Sequence, residues 1–172
     1  MAVTYEKIAT TTVSSTTSTV TFSSIPTTYT DLILIGGIFR VTTGGNNMSM
    51  QINGDTGSSY SSIFFEGSGT AVSVGKSSGA ETAARFAAIG GGFSASATEP
   101  ISIIMQFMSY KNTNIWKPII SRYNQTSTIV GSSVSYWRST SAINQISLVQ
   151  GSGGTAQFGA GSVLTLYGIA AS

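Results

Sequence analysis

A chain of 172 residues with no His, no Cys and only eight basic and six acidic side chains lacks the groups on which most enzyme and transition-metal chemistry rests. The acids Glu6, Asp31, Asp55, Glu66, Glu81 and Glu99 are dispersed, so neither a catalytic set nor a cofactor or metal site is expected. The bases form no run despite a pI near 9.0, which argues against nucleic acid as a partner.

The start, MAVTYEKIATTT, has neither the basic nor the apolar region of a signal peptide, so none is expected. No apolar run approaches the roughly 18 residues of a membrane helix, and no membrane insertion is expected. The Ser/Thr-rich stretch 10–19 reads as a turn and the beginning of a strand. Val20 and Phe22 then alternate with Thr19, Thr21 and Ser23, a period of two. Residues 32–35, Leu-Ile-Leu-Ile, are apolar on both faces and predict a central strand covered on both sides. Met48, Met50 and Ile52 predict another strand. Residues 80–89, AETAARFAAI, are the one candidate helix by Ala propensity, but they lack caps and a strand is the alternative. Ile101, Ile103, Met105 and Phe107 line one strand face. Val134 and Tyr136 alternate with Ser133 and Ser135, and Ile146 and Leu148 flank Ser147. Val163, Thr165, Tyr167 and Ile169 mark one face of a closing strand, with Leu164 and Leu166 on the other.

Gly- and Asn-rich breaks at 44–47, 53–57, 90–92 and 151–154 recur between these runs. The reading is an all-β protein, residues 1–172 as a single-domain antiparallel β-sandwich, jelly-roll-like, with very little helix.

Charge density says more than charge sign. Charged residues make up 8% of the chain, against about 25% in ordinary soluble domains. About three residues in ten are Ser or Thr. A standard interface hides roughly 800 Å² per partner, and few charges would be lost under such a patch here. Burying charge is a major desolvation cost of association. Self-assembly is therefore expected, as a homo-oligomer with a trimer favoured.

Asn53, Asp55 and Glu66 invite a calcium-loop reading, but the third loop position is Gly57 and the sixth is Tyr60, so a hairpin turn is expected instead. Trp116, Trp137, Tyr110, Tyr123 and Tyr136 could stack on sugar or fill a core, and Trp137 is opposite in phase to Tyr136. Arg138 and Arg40 read as strand-end arginines lying over aromatics, with an anionic ligand as the alternative. The candidate interface or ligand contacts are Tyr29, Trp116, Tyr123, Trp137, Arg138 and Tyr167.

Three stretches, FSSIPTTYTDLILIGGIFR at 22–40, YWRSTSAINQISLVQGSGG at 136–154 and AGSVLTLYGIAAS at the C-terminus, resemble small virion structural proteins of tailed phages, marine and cyanobacterial ones above all. The shared pieces are an IPxTYTDL hairpin, an NGxxxxxYS loop, a TSAIxxISL strand and a closing GSxxTLYGI. The resemblance spans nearly the whole chain, with 76–99 as its variable part. It implies a jelly-roll-like sandwich located in the virion, on the capsid exterior as a decoration or cement protein bound to the major capsid protein or other virion proteins. The alternative it implies is a tail-fibre, baseplate or head-fibre part that contacts a host-surface glycan. A fibre part commonly carries a separate anchor domain, for which 172 residues leave little room, so cement is the first expectation.

Overall fold

The computed structural model of the chain describes residues 5–41, 48–69, 71–77, 79–87, 95–125, 129–150 and 158–170. The breaks read at 44–47, 90–92 and 151–154, and residues 88–89 of the Ala-rich stretch, lie outside them.

Alternation of apolar and hydroxyl side chains produces strands throughout, and there is no helix among the described residues. Among the described residues, eight strands form one antiparallel sheet. In spatial order they are β1 (Tyr5–Thr12), β12 (Val163–Ile169), β3 (Asp31–Arg40), β8 (Ser96–Phe107), β9 (Lys117–Gln125), β10 (Ile129–Trp137), β5 (Tyr60–Ser68) and β6 (Ala71–Lys76). Four more make the second sheet in the order β2 (Thr19–Phe22), β11 (Ile146–Gln150), β4 (Met48–Ile52) and β7 (Ala84–Ala87). The two sheets pack as a β-sandwich. From β2 to β5 the chain changes sheet at every step, and it does so again around β7 and around β11. This is jelly-roll winding. The meander β8–β9–β10 lies between β3 and β5 in the larger sheet.

The core lies between the sheets. Leu32, Leu34, Ile101, Ile103, Met105, Phe107, Leu164 and Leu166 of the large sheet meet Val20, Phe22, Met50, Ile52, Phe86, Ile146 and Leu148 of the small one, all buried. Zero-exposure Ile119 and Leu166 belong to this core.

Several expectations change against this frame. Residues 84–87 form a strand, because Met48, Ser49 and Met50 of β4 offer a ladder, and Ala84, Phe86 and Ala87 are buried there. Ladder pairing and burial override Ala helix propensity. Residues 10–12 belong to β1, and the turn begins only after Thr12. Pro26 and the 53–57 loop do not make hairpins, since each lies on a connection that leaves one sheet and enters the other. Residues 32–35 are central in their sheet but covered on one face only. Leu32 and Leu34 point into the core while Ile35 is 40% exposed.

The largest inversion is in β10. Ser133 and Ser135 face the core, and Val134 and Tyr136 face out. The reason is the edge of the small sheet. On an edge strand, alternate residues turn N–H and C=O away from their only neighbour. In β7 that residue is Arg85. Its backbone N donates to Ser62 Oγ at 3.1 Å, and its carbonyl accepts from Ser133 Oγ at 3.2 Å. Ser135 Oγ lies 3.0 Å from the same carbonyl and 2.8 Å from Ser62 Oγ. Serines of β5 and β10 thus close the β7 edge, and the apolar residues between them are turned to the outside.

Candidate functional site

Two regions stand out, and only the first concentrates residues that sequence reasoning singled out. The first is one end of the sandwich, where the recurrent sequence pieces meet. Asn53 and Gly54 have φ of 54° and 69°, and Asp55 N donates to Ile52 O at 2.9 Å, which is a type I′ turn. Asn53 also ties this turn to the 142–145 segment. Its Nδ2 donates to Ala142 O at 2.8 Å, and its Oδ1 accepts from Asn144 N and Gln145 N. Asp55 Oδ1 accepts from Gly57 N at 2.8 Å and Oδ2 from Trp137 Nε1 at 2.7 Å. The Trp137 hydrogen bond, joined by that from Gly57, holds the Asp55 carboxyl below its ordinary pKa against the opposing effect of burial. Both carboxylate oxygens are thus engaged, one within the loop and one by Trp137 of β10. Among the described residues no group of three or more acids could hold a metal ion.

Tyr110 joins the other pieces. Its hydroxyl donates to Pro26 O and accepts from Tyr29 N, while its carbonyl accepts from Ile143 N. Tyr29 folds over the sandwich end onto Gly168, where a Cβ would lie 2.2 Å from its ring. Only glycine allows that approach. Lys117 is wholly buried and donates to three carbonyls, Asn112 O at 2.5 Å, Ile115 O at 2.8 Å and Thr140 O at 3.1 Å. Burial lowers its pKa. This lysine holds the 111–116 loop and the 138–142 segment together.

Of the six candidate contacts, Tyr29, Tyr123 and Trp137 are buried in the sandwich. Tyr123 reaches across the inner face to Glu66 Oε2 at 3.2 Å. Arg138 is half-buried and donates from Nη2 to Ser58 O. Tyr167 is half-buried on the outward face of β12. Trp116 stands 53% exposed on its loop, next to exposed Ile115. The aromatics therefore do not gather into one platform. Trp137 and Tyr136 do fall on opposite faces, as their phase requires.

The buried phenols give this end a definite pH response. Burial raises Tyr60 to about 12, and burial likewise raises Tyr110. An unfolded chain ionises tyrosine near pH 10 while the folded protein keeps Tyr60 protonated. Stability is thus fully present below pH 10 and is lost as pH rises from there toward 12. Tyr60 alone costs about 1.4 kcal/mol per pH unit in that window. Melting curves from pH 9 to pH 11.5 are expected to show this fall. Tyr60→Phe is expected to flatten it while lowering the melting temperature at pH 7, because Ile52 N loses its acceptor.

The second region was not anticipated. The outer face of the eight-stranded sheet is apolar over β10, β5 and β6. Residues in register form rows across it. One row runs Ile33, Gln106, Ile120, Val134, Ile63. The next runs Ile35, Ile104, Arg122, Ser132, Phe65, Val74. A third runs Ser102, Asn124, Val130, Gly67, Val72. Val72 and Val74 are 81% and 76% exposed, and Ile63, Phe65 and Val130 are about 60% exposed. Between the rows lies a groove of about 710 Å³ lined by Phe65, Val72, Ile104, Ile120, Arg122 and Val130. The one sequence signal for it is the pairing of small polar residues with large apolar ones in YSSIFFEGS and IVGSSVSYW, a pattern that is silent about which face is inside.

Comparison with known proteins finds no family model and no curated protein that matches the chain.

Proposed function

We propose that this chain is a non-enzymatic structural subunit of a tailed-phage virion, which decorates the outside of the head and stabilises contacts between capsomers. The observation that carries the reading is the outer face of the large sheet. Five large apolar side chains from β10, β5 and β6 stand well exposed there in adjacent rows. Single exposed apolar residues are ordinary, but a contiguous patch marks a site of association. The resemblance of the 22–40, 136–154 and C-terminal stretches to virion proteins supplies the setting. The same scarcity of charge supports a homo-oligomer, a trimer in the first instance, as the unit that docks.

A second reading, a fibre or baseplate part that contacts host glycan, is favoured by Trp116 alone, which presents an exposed ring on a loop held by Lys117. Copy number separates the two. Gel densitometry of purified particles is expected to show this chain at a level comparable to the major capsid protein. A level of a few tens of copies, with host adsorption lost in Trp116→Ala, would replace the first reading by the second.

A further inference from the structure

We infer that the groove on the outer face takes a segment of a partner protein in which one carboxylate sits among apolar side chains. The inference deepens the preceding reading and rests on it for the setting.

The groove has a mainly apolar wall and one charge that reaches solvent, Arg122; Glu66 also lines it, but is 2% exposed and accepts from the Tyr123 hydroxyl on the inner side. Arg122 projects from β9 between Ile104 and Ser132 in register, with Ile120 two residues before it on the same face. Its guanidinium makes no hydrogen bond or ion pair among the described residues. The outward positions of β9, β10, β5 and β6 include one further charge, Lys76, at the edge strand, and no acid. Arg122 is exposed on this face, and its planar guanidinium matches a carboxylate in a two-bond geometry.

That charge pattern also decides between occupants. Two copies of this face brought together would oppose Arg122 and Lys76 to their own kind, with no acid on either side. Like-charge juxtaposition at an interface is strongly disfavoured. A partner carrying one acid is complementary. The volume, about 710 Å³, has room for a short segment or loop tip of a partner whose surface covers the rest of the face. Gly67 sets the depth. It lies between Val130 and Val72 in the third row, and a Cβ there would meet nothing nearer than Val130 Cγ1 at 3.8 Å. A larger side chain at 67 would therefore fill the groove and leave the fold intact.

The test uses the full chain and fluorescent peptides of one design, a central Glu, Gln or Lys flanked by Val and Leu with Ser-Gly tails. Anisotropy titration is expected to show the Glu peptide binding wild type roughly tenfold or more tighter than the Gln peptide, the gain of a charge-assisted hydrogen bond. Arg122→Gln is expected to erase that preference. Gly67→Leu is expected to abolish binding of both peptides with an unchanged melting temperature. Equal affinity for the three peptides, no binding by any of them, or indifference to Arg122→Gln and Gly67→Leu overturns the inference. So does binding of dodecanoate without peptide, or a dimer in light scattering that Gly67→Leu disperses. No particle enters this assay. A failure here leaves the head-decoration reading standing, and a bare head leaves the groove result standing.

Discussion

Lys117→Met is expected to destabilise the protein by about 3–5 kcal/mol, because three carbonyls lose their shared donor at once. The ammonium is wholly buried and is shared by the carbonyls of Asn112, Ile115 and Thr140. Met keeps the apolar stem but leaves three acceptors dry, each worth roughly 1–3 kcal/mol when unsatisfied. The melting temperature should fall by about 10 °C, using the entropy scaling for a domain near this size. Thermal unfolding monitored by circular dichroism measures it directly. A fall of only a degree or two would mean that water reaches those carbonyls and that the lysine is not what holds the 111–116 loop.

The second large effect is a contrast between two lysines placed on opposite faces of one sheet. Ile119→Lys is expected to yield no folded protein. Ile119 is completely buried beside Phe107 and Ser135 in register. An unpaired ammonium there costs several kcal/mol, and the lost apolar burial adds about 2 more. Together these approach the whole 5–15 kcal/mol that keeps a domain folded. Leu166→Lys should behave in the same way, since Leu166 is equally buried. Val134→Lys should fold normally, within about 0.5 kcal/mol of wild type, because Val134 is already open to solvent. Any deficit in that variant is then a deficit of association. Expression, a melting curve and light scattering of the variants separate the outcomes.

How much of this was legible in the sequence depends on what each residue pattern encodes. The alternation at 48–52 and 101–107 encodes strands with one buried face, and both were found where expected with the apolar side inward. Period two does not say which face is inner when neither is charged. Hence Ser133 and Ser135 gave no warning that they would turn inward to bond Arg85 of a strand 48 and 50 residues away in sequence. Pairing at that separation is decided by topology, which no local window contains. The same holds for Lys117. A lysine between Trp116 and Pro118 reads as a strand start, and only the fold brings Thr140 to it. Asn53 was recognisable as a turn residue, but its second role, holding residues 142–145, is again a contact made by the fold. Among the candidate contacts, the aromatics Tyr29, Tyr123 and Trp137 are buried in the sandwich, a placement that residue type alone does not reveal. The exposed face is instead built from Ile63, Phe65, Val72, Val74 and Val130, residues that a sequence reading assigns to the core by default.

The central claim is that the outer face of the eight-stranded sheet docks on the virion. Cosedimentation of wild type and Val134→Lys with phage heads stripped of this chain tests it most directly. Wild type is expected to bind saturably, at a copy number comparable to the major capsid protein. Val134→Lys is expected to bind on the order of a hundredfold more weakly, since an unpaired ammonium would be buried under the interface. Equal binding of the two proteins, or heads left bare by the wild type, would contradict the claim.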